Sequence, residues 1–256
     1  MDAKNILIAL SIKYNGDWTL IFNAVNQYRS LIDENELEAI LNKTHCKAIT
    51  ILDSEYPERL RQVYRPPFVL FYQGDLSLLS NIDKCLAVVG SRKASEKFKT
   101  KTREIVKQLN NDILIVSGLA AGIDGVAHQA ALDSGKKTIA VIGSGLNYCF
   151  PTENEELCSK IKKNNLVITE YPDNVPPKQE NFPPRNRIIA GLSDVVLIPE
   201  AAKKSGSVIT AGYAINLGKE ILCLPSENFG DSACNLFLKE GARLVESADD
   251  VNDFFR

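Results

Sequence analysis

The stretch Ile113–Gly145, ILIVSGLAAGIDGVAHQAALDSGKKTIAVIGSG, decides the fold. An apolar run, Ile113–Val116, ends in a loop carrying Gly118, Gly122 and Gly125. Asp124 is placed to cap a helix that runs to about Ser134, where Gly135 stops it. A second apolar run, Thr138–Ile142, again ends in glycine, as Gly143-Ser144-Gly145. Strand, tight loop, helix and strand form a βαβ unit, so the two strands are parallel. Both glycine loops then lie at strand C-terminal ends, the edge where open α/β sheets bind ligands.

Outward from this unit the alternation repeats. Cys85–Val89 reads as a strand, followed by Gly90-Ser91-Arg92 and a helix over 96–109. A helix is expected from Asn154, with Thr152 and Glu155 as a capping box. Strands follow at Leu166–Glu170, Val195–Pro199 and Ile221–Leu224, with helices at 187–192, 208–217, 235–240 and 249–255. Continuous Val/Ile/Leu strands separated by helices predict an α/β fold: an extended Rossmann-like, doubly wound and mainly parallel sheet. Ala48–Leu52 and Phe68–Tyr72 add short strands before it, with Pro66 and Pro67 excluding a helix between them. Residues 1–44 read as a small helical module, with apolar faces at Ile6, Leu7 and Leu10, at Trp18, Ile21, Phe22 and Val25, and at Leu37, Ile40 and Leu41. Asp17 and Asp33 are the candidate caps of its second and third helices. The domains are therefore expected at 1–44 and 45–256.

Composition narrows the function classes. The 256 residues carry a net charge of −2, so a nucleic-acid site must be a local basic patch. No apolar run approaches the roughly 18 residues of a membrane span. The N-terminal MDAKNILIAL lacks the basic flank and cleavage site of a signal peptide. The six cysteines form no CxxC pair, so reduced thiols and a cytoplasmic location are expected.

Glycine loops at 90–92, 117–124, 143–145 and 204–207 share the strand-end edge, and helix N-termini behind such loops suit phosphate. There is no Walker A loop. Gly143-Ser144-Gly145 with Glu170 imitates a dinucleotide fingerprint, but Tyr148 stands at its last glycine position. His45 and His128 are the chain's histidines, and no Ser/His/Asp set or metal-ligand cluster stands out. The proline-rich segment 171–186 carries Phe182 outside any apolar period, followed by Arg185 and Arg187. An aromatic ring beside arginines is a stacking platform with charges for a single-stranded backbone. A plug in a local core under the loop is the alternative role for Phe182. Arg92, Lys93, Lys203 and Lys204 extend the same basic edge.

VVGSRKAS (88–95), SGLAAGIDGVAHQAAL (117–132), KTIAVIGSGLNYCFPTEN (137–154), TEYP (169–172), NFPPRNRIIAGLSDVVLIPEA (181–201) and KSGSVITAGYA (204–214) occur in this order. Together they resemble the DprA/Smf family of bacterial DNA-processing proteins. The resemblance implies a protein that binds single-stranded DNA, protects it, and loads RecA recombinase onto it in natural transformation (competence) and DNA recombination. It also implies a homodimer, no catalytic activity and no cofactor. Carried over by motif, Gly90, Ser91 and Arg92 would hold a phosphate and Phe182 a base. Arg185, Asn186 and Arg187 would line or brace the pocket. Lys178 or Gln179 stands where the family has a DNA-facing lysine. Ala121 and Thr152 replace residues that are basic in many members, and DSACN (231–235) lacks a glycine before its asparagine. For the dimer, Phe254 and Phe255 are candidate contact residues, with packing onto the sheet as the alternative. The competing function is a phosphoribohydrolase of the lysine-decarboxylase-like fold. Its PGGxGTxxE loop would correspond to KSGSVITAG, which has no glutamate at that spacing.

Overall fold

The computed structural model describes residues 2–27, 32–42, 47–80 and 82–256. The expected domain boundary at 44/45, with His45 and Cys46, lies outside them. The first three helices are α1 (Ala3–Lys13), α2 (Trp18–Asn26) and α3 (Glu34–Leu41). Asp17 caps α2 by accepting from Leu20 N at 2.9 Å, and Asp33 caps α3 by accepting from Glu36 N at 2.8 Å. Ala9, Leu10, Ile21, Ala24, Ile32 and Leu37 form a small core of their own, while Leu7 of α1 packs with Val69 and Phe71 of the main sheet.

The chain continues through β1 (Lys47–Thr50), α4 (Glu58–Arg61), β2 (Val69–Gly74), α5 (Ser77–Ser80), β3 (Lys84–Val88), α6 (Glu96–Gln108), β4 (Ile113–Ser117), α7 (Ile123–Asp133), β5 (Thr138–Val141) and α8 (Glu155–Asn164). It ends with β6 (Leu166–Thr169), α9 (Phe182–Leu192), β7 (Val195–Ile198), α10 (Gly206–Asn216), β8 (Glu220–Cys223), α11 (Ala233–Lys239), β9 (Arg243–Leu244) and α12 (Ala248–Phe254). Among the described residues nine strands form one sheet, in the order β1-β2-β6-β5-β4-β3-β7-β8-β9. The pairs β1–β2 and β2–β6 are antiparallel, and the others are parallel. This is the α/β, mainly parallel sheet expected from the sequence.

Both faces are covered, which is why the central strands read as unbroken apolar runs. Cys85, Ala87, Val116 and Val141 point to one face, where Leu60 of α4, Ile189 of α9, Ala211 of α10 and Cys234 of α11 pack. Leu86, Val88, Ile115 and Leu197 point to the other, against Ile105 of α6, Ala127 of α7 and Val251 of α12. Phe254 and Phe255 are partly buried against this second core, with their rings edge to face at 5.1 Å. The described cysteines Cys85, Cys149, Cys158, Cys223 and Cys234 are free thiols. No helix among the described residues is long and apolar enough to cross a membrane.

Local readings are corrected at three places. The N-cap of α7 is Gly122, at φ +76°, so Asp124 lies inside the first turn. The expected capping box at Thr152 and Glu155 is not formed: residues 152–154 make a 3₁₀ turn, and the Asn154 amide donates to Leu119 O and Ala120 O at 3.0 Å each. Helix α9 starts five residues earlier than Arg187, because prolines fit the first helical turn, where an N–H would have no partner anyway.

Candidate nucleic-acid interface

The strand order reverses beside β3: β4 lies on one side and β7 on the other. The loops leaving the C-terminal ends of β3 and β7 therefore diverge, opening the crevice where doubly wound sheets take ligands. The loop after β3 is tied down on both sides. Ser91 N donates to Glu200 O at 2.7 Å, and Ser91 O accepts from Ile123 N at 3.2 Å. Gly90 is required by packing: a Cβ there would lie 2.6 Å from Ile123 Cγ1 and 2.9 Å from Glu200 O.

A cavity of about 620 Å³ occupies this crevice. Of the residues assigned from sequence, Gly90, Ser91, Arg92, Phe182, Arg185 and Asn186 all line it. Phe182 is partly buried at the start of α9, and the Arg92 guanidinium lies over its ring, 5.2 Å from the centroid. Among the described residues the cavity wall carries Arg92, Lys93, Arg185 and Lys204 against the single carboxylate of Asp124. A near-neutral chain thus concentrates positive charge at one place, with a ring among the cations.

Arg185 is only 4% exposed and works as a brace. It donates to Gly118 O at 2.6 Å, to Val141 O, and to Asn186 Oδ1 at 3.1 Å. Asn186 in turn donates to Gly206 O at 3.1 Å, so α9 is fixed to the ends of β4 and β5 and to the start of α10. Burial pushes the Arg185 guanidinium down to about 10, with Asp124 acting in the opposite sense. Burial likewise raises Asp124, which accepts from Gly118 N at 3.1 Å. The pair holds the loop geometry, leaving Arg92 as the accessible cation over the ring.

Two assigned residues lie elsewhere. Arg187 lines a neighbouring cleft and is 3% exposed, with both terminal nitrogens 2.5 Å from the Glu170 carboxylate. Burial lowers its affinity for a proton, but Glu170 outweighs that and raises it. Lys178 also faces the neighbouring cleft, 3.7 Å from Glu180, whereas Gln179 lines the first cavity. Lys203, one of the cations placed on the basic edge, instead donates to Gly230 O at 2.8 Å.

Phe150 was not legible as a site residue. It is 45% exposed, its ring is stacked 5.8 Å from Phe182, and both line a smaller cavity of about 190 Å³ with Arg92. The available signal was an aromatic ring before Pro151 at the end of a glycine loop, a pattern that a turn explains equally well.

The family model of DNA recombination-mediator protein A matches residues 47–256. The chain belongs to this family. It is 43% identical over 218 residues to the DNA processing protein DprA of Streptococcus pneumoniae, covering 84% of this chain and 77% of that one. The X-ray structure of the S. pneumoniae DprA superposes with a TM-score of 0.82 at 36% identity, covering 98% of this chain and 93% of that chain. A structure describing single-stranded DNA binding by DNA processing protein A of Helicobacter pylori gives a TM-score of 0.74 at 30% identity, covering 82% and 96%. This places the chain among proteins of DNA processing and recombination.

Proposed function

We propose that this chain binds single-stranded DNA at the crevice between β3 and β7 and delivers it to a RecA-type recombinase during natural transformation. The observation that carries the reading is Arg92 lying over Phe182 in a cation-rich cavity at the point where the strand order reverses. Arg92 would meet a backbone phosphate and Phe182 a base face. Neither contact depends on base identity, so little sequence preference follows. Arg185 and Asn186 would hold the cavity wall, and Gly90 and Ser91 would let the backbone approach closely. The family membership and the H. pylori relative support the choice of ligand.

Binding without nucleotide hydrolysis, in the cytoplasm, by a homodimer of chains each divided at about residue 44, completes the proposal. Ile215, Leu236 and Leu244 are 43–52% exposed on α10, α11 and the edge strand β9, and offer apolar surface for a second copy. Fluorescence anisotropy with labelled oligothymidylate, without ATP or metal, tests the DNA reading. The single strand should bind more tightly than a duplex of equal length, and equal affinities would contradict it. Incubation with nucleoside monophosphates should release no free base. Turnover there would favour the phosphoribohydrolase reading instead.

A further inference from the structure

We propose that the cleft between α2 and the start of α9 is a second nucleotide subsite, which takes a base and a phosphate of the same single strand that enters at Phe182. The inference rests on the single-stranded DNA reading above and extends it. The cleft has a volume of about 500 Å³ and shares a wall with the first cavity. That wall is the segment 178–184: Gln179, Phe182 and Pro183 face the first cavity, while Lys178, Asn181 and Pro184 face the second. A strand leaving Phe182 over this ridge arrives in the cleft.

The cleft is built around Arg65. Its guanidinium carbon lies 5.2 Å from the Trp18 ring centroid and 5.3 Å from that of Tyr64. Tyr64 is 67% exposed, a ring available for stacking. Arg65 has a left-handed backbone, φ +54°, a conformation that costs an L side chain energy and persists only when its surroundings impose it. Here they do. Arg65 O accepts from Arg187 Nε, Pro66 O from Trp18 Nε1, and Pro67 O from Tyr56 Oη, each at 2.8 Å.

The charges of the cleft leave Arg65 as the cation for a ligand. Asp17 is engaged as the cap of α2, Glu170 is held by Arg187, and Glu180 pairs with Lys178. No carboxylate among the described residues pairs with Arg65. A second, independent observation points to a ligand. Asn181 lines the cleft, is more than nine-tenths buried, and its Nδ2 has no hydrogen-bond partner among the described residues. Buried amides are almost always partnered, and a small rotation of the Asn181 side chain toward the cleft would give this one a base carbonyl or phosphate oxygen as acceptor. An exposed ring, a cation without a counter-ion and an unpartnered amide donor together match one nucleotide.

Trp18 is the chain's single tryptophan and stands inside this cleft, so its fluorescence reports directly on occupancy. Oligothymidylates of about 5 and about 15 nucleotides bracket binding at one and at both subsites. The longer strand should bind more tightly and change Trp18 emission, whereas the shorter should bind with little change in emission. Tyr64→Ala and Arg65→Gln should each weaken the longer strand by about tenfold, the scale of one lost stack or contact, and leave the shorter unaffected. Tight binding of both strands by the wild type, with no Trp18 change and no effect of either substitution, would overturn the second subsite while leaving the first intact. Failure of the wild type to bind either strand would overturn the reading on which it rests, and this inference with it.

Discussion

Arg187 and Glu170 face each other through two 2.5 Å hydrogen bonds, and both residues are more than nine-tenths buried. Arg187 also donates to Arg65 O and Pro184 O at 2.8 Å each, so one side chain joins α9 to the turn that follows α4. The pair fixes the ridge between the two clefts and is predicted to act through stability. Removing one partner leaves a buried charge without its counter-charge. Glu170→Ala should therefore lower the unfolding free energy by about 3–5 kcal/mol in urea titrations.

Gly143 lies against the proposed stacking ring. A Cβ there would stand 2.8 Å from Phe182 Cδ1 and 3.2 Å from Cε1. Gly143→Ala should tilt the ring away from its present position and weaken single-strand binding by up to about 1 kcal/mol, part of one base stack. The circular dichroism spectrum should stay that of the wild type. Unchanged affinity would mean that the ring position does not matter for binding.

His128 gives a pH prediction. It is fully buried in α7, with Nδ1 2.7 Å from Thr138 Oγ1, and burial lowers its pKa from 6.5 to about 3. The unfolded chain binds a proton at His128 below about 6.5 that the folded chain does not. The contribution of the neutral ring is thus present above about pH 6.5 and is lost progressively as pH falls toward about 3. The upper bound of the loss is about 4–5 kcal/mol. His128→Gln should flatten the dependence of unfolding free energy on pH across that window. An unaltered slope would show that other groups govern acid sensitivity.

The sheet was readable because strands buried on both faces cannot alternate, and Cys85–Val89 or Val195–Pro199 are apolar throughout. The site was readable in part because Gly90 and Arg92 follow such a strand directly. What escaped depends on contacts distant in sequence. The two-residue strand β9 has no pattern of its own and exists by pairing with β8. Arg185 and Arg187 are expected to line or brace the pocket, but their near-complete burial depends on Gly118 O, Val141 O and Glu170, all distant in sequence. Pro183 and Pro184 suggested an irregular segment, although the first turn of α9 accommodates both. The pairing of Phe150 with Phe182 brings together rings from different loops, which no local signal announces.

The central claim separates charge from stacking, and the salt dependence of oligothymidylate binding by wild type, Arg92→Ala and Phe182→Ala tests it most directly. Each phosphate neutralised on a single strand contributes a log–log slope of about −0.7, so Arg92→Ala should make the slope shallower by about that amount. Phe182→Ala should weaken binding by about 1–3 kcal/mol at every salt concentration and leave the slope unchanged. Equal changes in slope for the two variants, or undiminished affinity in both, would contradict the placement of the DNA at the crevice between β3 and β7.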